Sequence, residues 1–328
     1  MIRRRTLARK LTLLFDLALL ATVIAGILFG GSAFALLPSP DALPRKTGIG
    51  LASFSGTDDY RLGDEWGKRP VTQADLDKAS PAFRRAALAT ATVGGATAFY
   101  LGKFGGAHVM ATNHHVMPSD SCRMRTARFR LLGVNAPCDT LLGTWPEIDL
   151  ALFTVRLTAA DEAKLLPVGA SFRVHDDLRA GQQLLTIGFG VAGNPTGNLM
   201  AAQDSDCYVF SSDAEYRLMA DPDGLNPGSY RAWSFAFGCD GSHGDSGSSV
   251  VDRATGNVVG ILWTGRIPKD RSVQSSSNLT KMFQSRDAAI WEQLNYAVPA
   301  KKVGEHLGRL LEGSIPERTK QIFSEMLR

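Results

Sequence analysis

Cysteine is scarce in these 328 residues, four in all, and histidine is hardly commoner at six. No Cys-x-x-Cys pair and no Cys/His cluster at zinc spacing occurs, which argues against a structural metal. No metal and no other cofactor is expected. Excess charge is missing from the body of the chain as well. The formal net charge is +4, and it resides in residues 1–35, where Arg3, Arg4, Arg5, Arg9 and Lys10 face only Asp16. The remainder is neutral by count. It offers no basic footprint to a phosphate backbone, so nucleic acid is not an expected partner. No internal repeat is present.

What is present begins with a targeting signal. The basic start, the apolar run from Leu17 to Phe29 and the small-x-small Ala33-Phe34-Ala35 read as a signal peptide over residues 1–35. The low-charge stretch of residues 17–37 is also long enough to span a bilayer, so an N-terminal anchor that tethers the protein to a membrane is the alternative. Either way the body is expected to be exported, as a secreted, periplasmic or membrane-tethered protein. An even number of cysteines fits that setting, and two disulfides are expected. Cys122, Cys138, Cys207 and Cys239 allow three connectivities. The sequence-local one, Cys122–Cys138 with Cys207–Cys239, closes two separate loops.

Residues 36–82 read as a linker or pro-segment. Pro38 to Thr72 is rich in glycine, proline, aspartate and arginine with little hydrophobic periodicity, and the helical stretch from Gln73 to Ala91 is interrupted by Pro81. Short strands follow. Ala91 to Tyr100 and His108 to Thr112 flank Lys103-Phe104-Gly105-Gly106 as in a hairpin, which places Val93-Gly94-Gly95 inside a strand. Arg125 to Val134 and Leu150 to Leu157 alternate apolar with polar residues. Leu184 to Phe189, Cys207 to Phe210 and Asn257 to Trp263 complete the set. Many short strands joined by glycine-rich turns predict an all-β sandwich or barrel rather than a βαβ fold. Only Ala300 to Glu312 departs, because Val303, Leu307, Leu310 and Leu311 recur at helical spacing. The main domain is read as residues 83–315 and residues 316–328 as a tail.

Three short segments carry chemistry. Gly244-Asp245-Ser246-Gly247 sets a serine between glycines, which lets the backbone turn tightly and aim the amides of Gly244 and Ser246 into one small space. Taken alone, the tetrapeptide is equally well a surface turn. A serine hydroxyl needs a base, and Thr112-Asn113-His114-His115-Val116 offers one at the end of a strand. Adjacent histidines on a strand point to opposite faces and do not readily chelate one metal ion. Asp149, just before the apolar Leu150-Ala151-Leu152-Phe153, is half-buried by that strand and needs a partner, which an imidazole N–H supplies.

In this order, His115, Asp149 and Ser246 with their contexts resemble the chymotrypsin-like serine proteases, and among them the bacterial glutamyl-endopeptidase and trypsin-like branch. The resemblance implies two packed six-stranded antiparallel β-barrels with a C-terminal helix, and a catalytic triad in the cleft between them. It implies an endopeptidase acting on peptides or proteins, with Ser246 as nucleophile, His115 as base and Asp149 as its orienting acid. The Gly244 and Ser246 amides would form the oxyanion hole. Gly260-Ile261-Leu262-Trp263-Thr264-Gly265 resembles the strand lining the primary pocket, so Leu262, Trp263, Thr264 and Gly265 are expected at the substrate together with His243. Cys207 and Cys239 match a disulfide of relatives. Leu262 stands where glutamate-selective members carry histidine, which argues against that preference. Asp240, six residues before Ser246, matches the position that selects Arg or Lys, and Arg266 is the rival candidate, favouring acidic groups. No Ile-Val-Gly-Gly-like activation start is evident. The alternative is a protease-fold binding protein without activity, but such proteins usually lack a triad member.

Overall fold

The computed structural model describes residues 56–119, 121–222, 230–287 and 291–328. The expected signal peptide or anchor at residues 1–35 lies outside them, as does the apolar stretch 17–37. No helix among the described residues is long and apolar enough to cross a membrane.

From Gly56 onward, the stretch read as a linker or pro-segment is built into the packed body. Tyr60 and Leu62 are buried, and Lys68–Pro70 forms a strand, β1. Pro81 does not merely interrupt a helix but starts one. Thr72 caps α1 (Gln73–Lys78) with a capping box, and Ser80 caps α2 (Pro81–Ala89) with the proline in its first turn, where the missing N–H costs nothing.

Six strands then close a barrel: β2 (Thr90–Val93), β3 (Ala96–Phe104), β4 (Ala107–Thr112), β5 (Thr126–Phe129), β6 (Val134–Trp145) and β7 (Leu150–Val155), in the order β2-β3-β4-β7-β6-β5. Alternate residues fill it, among them Ala98, Tyr100, Met110, Phe129 and Phe153, as the two-residue period of a strand requires. The Gly94-Gly95 pair lies between strands, not within one. Both residues have positive φ, 57° and 85°, which ends β2 and opens the turn into β3. The expected hairpin turn at Gly105-Gly106 joins β3 to β4.

The second sheet contains β8 (Leu184–Gly188), β9 (Met200–Ala202), β10 (Arg217–Met219), β11 (Ala232–Phe237), β12 (Ser249–Asp252), β13 (Val258–Gly265) and β14 (Asn295–Pro299). With β1 it makes eight antiparallel strands in the order β1-β9-β8-β12-β13-β14-β11-β10. The fold class is the expected one, but β1 and β10 are added at the edges beyond six strands. The cysteine-led stretch 207–210 is not a strand. It bridges Gln183 through Tyr208 and Phe237 through Val209, drawing the two sides of the sheet together.

Both disulfides take the sequence-local pairing, Cys122–Cys138 and Cys207–Cys239. Two bridges fit an oxidising compartment. Two further helices follow the barrel, α3 (Ala159–Leu165) and, after β13, α4 (Ser276–Ser285). The chain ends in α5 (Ala300–Glu312) and α6 (Glu317–Met326). The residues read as a tail are therefore mostly helix, and Ile322 and Phe323 are buried.

Candidate active site

β4 ends at Thr112, and the turn after it carries Asn113, His114 and His115. Across from it, a single helical turn, Pro146–Ile148, delivers Asp149 with φ +33°, a left-handed conformation that a non-glycine residue seldom adopts. The Asn113 side-chain amide holds this bend by donating to the Asp149 carbonyl, 3.0 Å away. The result turns a fully buried carboxylate towards His115. Oδ1 accepts the His115 backbone N–H at 3.0 Å, and Oδ2 lies 2.8 Å from its ring Nδ1. Committing Nδ1 as the donor leaves Nε2 as the basic nitrogen.

Tyr230, which no motif pointed to, donates its hydroxyl to Asp149 Oδ1 at 3.0 Å. Burial and the neighbouring carboxylate push its own ionisation far above the ordinary tyrosine range, so it stays a donor. His114 faces elsewhere. Its Nδ1 is 2.7 Å from Thr144 Oγ1, and its ring meets Tyr230 edge-on at 5.3 Å. Burial holds its pKa below the usual imidazole value.

Ser246 sits in a loop shaped by glycine. Gly244 and Gly247 have φ +90° and +86°, and a Cβ on Gly247 would fall 2.1 Å from the Thr97 carbonyl oxygen. Thr97, on β3, is the second residue without a sequence signal. Its N–H donates to Ser246 O at 2.9 Å and its hydroxyl to Gly244 O at 2.7 Å. That hydroxyl also accepts the Phe189 N–H at 3.0 Å. The carbonyls on both sides of Asp245 are thus taken, whereas the Gly244 and Ser246 amides donate to nothing among the described residues.

His115 and Ser246 line one cavity of about 750 Å³. No hydrogen bond joins them in this structure, and in unliganded enzymes such contacts commonly tighten only around substrate. Gly244, His243, Leu262, Trp263, Thr264 and Gly265 line the same cavity, together with Asp221 and Asn295. Thr264 donates to Asp221, and the Trp263 indole donates to Ser234 Oγ at 2.9 Å. His243 packs edge-on against Tyr60, with ring centroids 5.9 Å apart. Burial lowers its pKa.

Two expected pocket charges are elsewhere. Asp240 is fully buried and is not among the cavity's lining residues. Its carboxylate accepts the N–H groups of Leu62 at 2.8 Å and Gly67 at 2.5 Å, both from the N-terminal segment. Arg266 also does not line the cavity and lies 3.6 Å from Glu292. Among the described residues, no group of three or more His, Cys, Asp or Glu side chains has metal-binding geometry.

The family model for the trypsin-like peptidase domain matches residues 96–261, a span that contains His115, Asp149 and Ser246. Among solved structures, the Rv3671c protease in its inactive form aligns with a TM-score of 0.47 and 17% identity, over 74% of this chain and 97% of that one. A serine-to-alanine variant of the same protein, from M. tuberculosis H37Rv, gives 0.48 and 15%, over 76% and 97%. The HtrA-type protease AlgW, a variant crystallised with a decapeptide, gives 0.44 and 19%, over 74% and 67%. Curated proteins give no match, and none of the comparisons singles out the glutamyl-endopeptidase branch. The family model covers just over half of the chain, and the chain belongs to the trypsin-like peptidase domain family.

Proposed function

We propose that this protein is an exported serine endopeptidase that works through His115, Asp149 and Ser246. The observation that carries this reading is the commitment of His115 Nδ1 to a buried carboxylate 2.8 Å away, on the wall of the cavity that Ser246 also lines. Ser246 Oγ attacks the scissile carbonyl carbon while His115 Nε2 takes the hydroxyl proton. The tetrahedral oxyanion is met by the Gly244 and Ser246 amides, which have no other acceptor among the described residues. His115 then returns the proton to the leaving amine. Water, activated by the same nitrogen, hydrolyses the acyl ester and restores Ser246. Asp149 fixes the imidazole tautomer throughout.

The cavity also bears on the substrate. Past Gly94 and Gly95 it adjoins a second cavity of about 470 Å³ that holds Arg125, Arg128 and Arg130. Arg130 is engaged by the Gly197 carbonyl and the Phe189 ring. Arg125 and Arg128 have no carboxylate partner among the described residues. Peptides with acidic side chains beyond the scissile bond on that side suit this surface. The other side, formed by Leu262, Trp263, Thr264, Gly265 and Asn295, is largely neutral, with Asp221 its acid.

A fluorophosphonate probe tests the central claim. Folded wild-type protein should be labelled and Ser246→Ala should not. His115→Ala should lose turnover, while His114→Ala should retain most of it. An unlabelled, folded wild type would sink the reading, and a reversed histidine result would move the base to His114.

A further inference from the structure

We propose that Lys68 is the built-in counter-ion of Asp245, a positioning residue that assembles the Gly244–Ser246 loop without a freed amino terminus. This rests on the peptidase reading above for its catalytic consequence, but the ion pair itself stands on geometry. The two side chains are each 1% exposed and bonded to one another. A carboxylate so far from water needs a cation and hydrogen bonds together, because either alone leaves it under-compensated. Asp245 has both. Oδ1 accepts the Gly190 N–H at 3.0 Å as well as the Lys68 ammonium. Oδ2 accepts the Ser242 N–H at 2.8 Å and its hydroxyl at 3.3 Å.

The consequence lies one residue away on either side. Gly244 and Ser246 flank Asp245, so fixing its side chain fixes the peptide units whose amides are offered to the oxyanion. The backbone of Asp245 is held too, by Ser242 O at 3.0 Å and the Ser248 N–H at 2.8 Å. Space for the carboxylate comes from glycine. A Cβ on Gly190 would stand 2.1 Å from Oδ2, and one on Gly188 would stand 2.6 Å from Oδ1.

The cation comes from a distant part of the chain, 177 residues earlier. Its delivery is rigid. Lys68 opens β1, which pairs with β9 in the register Lys68↔Ala202 to Pro70↔Met200. Just before it, Asp240 grips the Gly67 amide, and just after it the Val71 N–H donates to Leu199 O at 2.8 Å. A side chain held inside a paired strand reaches Asp245 on folding. Cleavage anywhere upstream of this segment leaves the pair intact, so no new α-amino group is required to order the loop.

Three variants of the full-length protein test this. Lys68→Met keeps the aliphatic stem and removes the charge. It should keep its near-UV circular dichroism, lose about 100-fold in kcat with KM within about threefold, in line with loss of oxyanion donors, and exchange backbone hydrogens faster across residues 241–250. Lys68→Arg should recover part of kcat. Lys68→Ala should be reactivated by butylammonium but not by butanol, which fills the same space without charge. Rescue by amine remains readable even where Lys68→Met folds poorly. Wild-type kcat in Lys68→Met, or equal rescue by butanol, overturns the proposal. An inactive wild type would overturn the peptidase reading instead. The exchange measurement would then still decide the counter-ion role: faster exchange in Lys68→Met supports it and unchanged exchange refutes it.

Discussion

At Asp149 one carboxylate serves the His115 backbone, the His115 ring and the Tyr230 hydroxyl. The first of these contacts places the histidine and the second sets its tautomer. The third compensates the charge of a carboxylate that is fully buried. A hydrogen bond to a charged group contributes about 1.5–3 kcal/mol. Tyr230→Phe should therefore lower kcat by about tenfold or more while leaving KM nearly unchanged, because the hydroxyl touches Asp149 of the proposed triad. Steady-state kinetics on a single peptide decides this; an unaltered kcat would mean that the hydroxyl is dispensable. The histidine, aspartate and serine of the candidate site could be read from short motifs because their local backbone demands are written in adjacent residues. Tyr230 and Thr97 could not. Tyr230 acts through its hydroxyl and Thr97 through its hydroxyl and its N–H, each brought in from a distant strand or loop, and a lone Tyr or Thr in a strand-rich sequence has packing as its ordinary use.

At the scale of elements, β1 and the segment before it show how composition misleads. Residues 56–70 have glycine, aspartate and arginine in place of a hydrophobic period, because only isolated side chains such as Tyr60 and Leu62 enter the core and side-chain acceptors hold much of the backbone between them. Asp240 is the main one. Burial pushes its carboxyl up to about 8, against the pull of two amide donors. The folded state therefore holds a proton on this group that the unfolded chain has released above the ordinary value of 3.8. The stability that this proton confers is complete below pH ~4 and is lost as pH rises towards ~8. Urea midpoints of wild type should fall across that window, and Asp240→Asn should flatten this component of the slope whatever its baseline stability. A parallel slope in the two proteins would remove Asp240 as its source. Counting back from Ser246 points Asp240 at the substrate pocket, whereas its carboxyl group meets the Leu62 and Gly67 amides, because a count cannot see which way a loop turns.

β5 and its lead-in carry the basic side chains on which the proposed preference for acidic peptides rests. Arg128 lies on it and Arg125 just before it, both facing the second cavity. Paired charge reversal, Arg125→Glu with Arg128→Glu, should raise KM severalfold for peptides acidic on that side of the scissile bond. It should leave kcat close to wild type and spare neutral peptides. Added salt should imitate the effect on acidic peptides in wild type, because exposed charges are screened within about 10 Å at 0.1 M. Equal losses for acidic and neutral peptides would show a general disturbance of the cleft instead.

For the molecule as a whole, the proposed triad depends on how the barrel and the second sheet meet. His115 and Asp149 belong to the barrel, and Ser246 precedes β12 of the second sheet. Thr97 ties barrel to serine loop, and Tyr230 ties the lead-in to β11 to Asp149. The C-terminal helices add a third tie on the outside. α5 packs on β13, β14 and the turn that presents Asp149, while α6 packs on β3. There the His306 ring meets Trp145 at a tilt of 60° with centroids 5.3 Å apart and lies 3.3 Å from Glu147, and Phe323 meets the same tryptophan at 6.0 Å. Glu325 accepts the Gly105 amide at 2.6 Å. The period of α5 was visible in its sequence. That of α6 was masked by its short length and high charge, so it read as a tail. Fully burying a side chain such as Ile322 or Phe323 contributes about 2 kcal/mol, so ending the chain at Pro316 should cost about 4 kcal/mol from these two alone. Thermal melts should show the loss. Because the helices brace the junction that aligns His115 with Ser246, fluorophosphonate labelling should slow even at temperatures where the truncated protein is fully folded. Unchanged labelling at a reduced melting temperature would confine the helices to stability and leave the alignment to Thr97 and Tyr230.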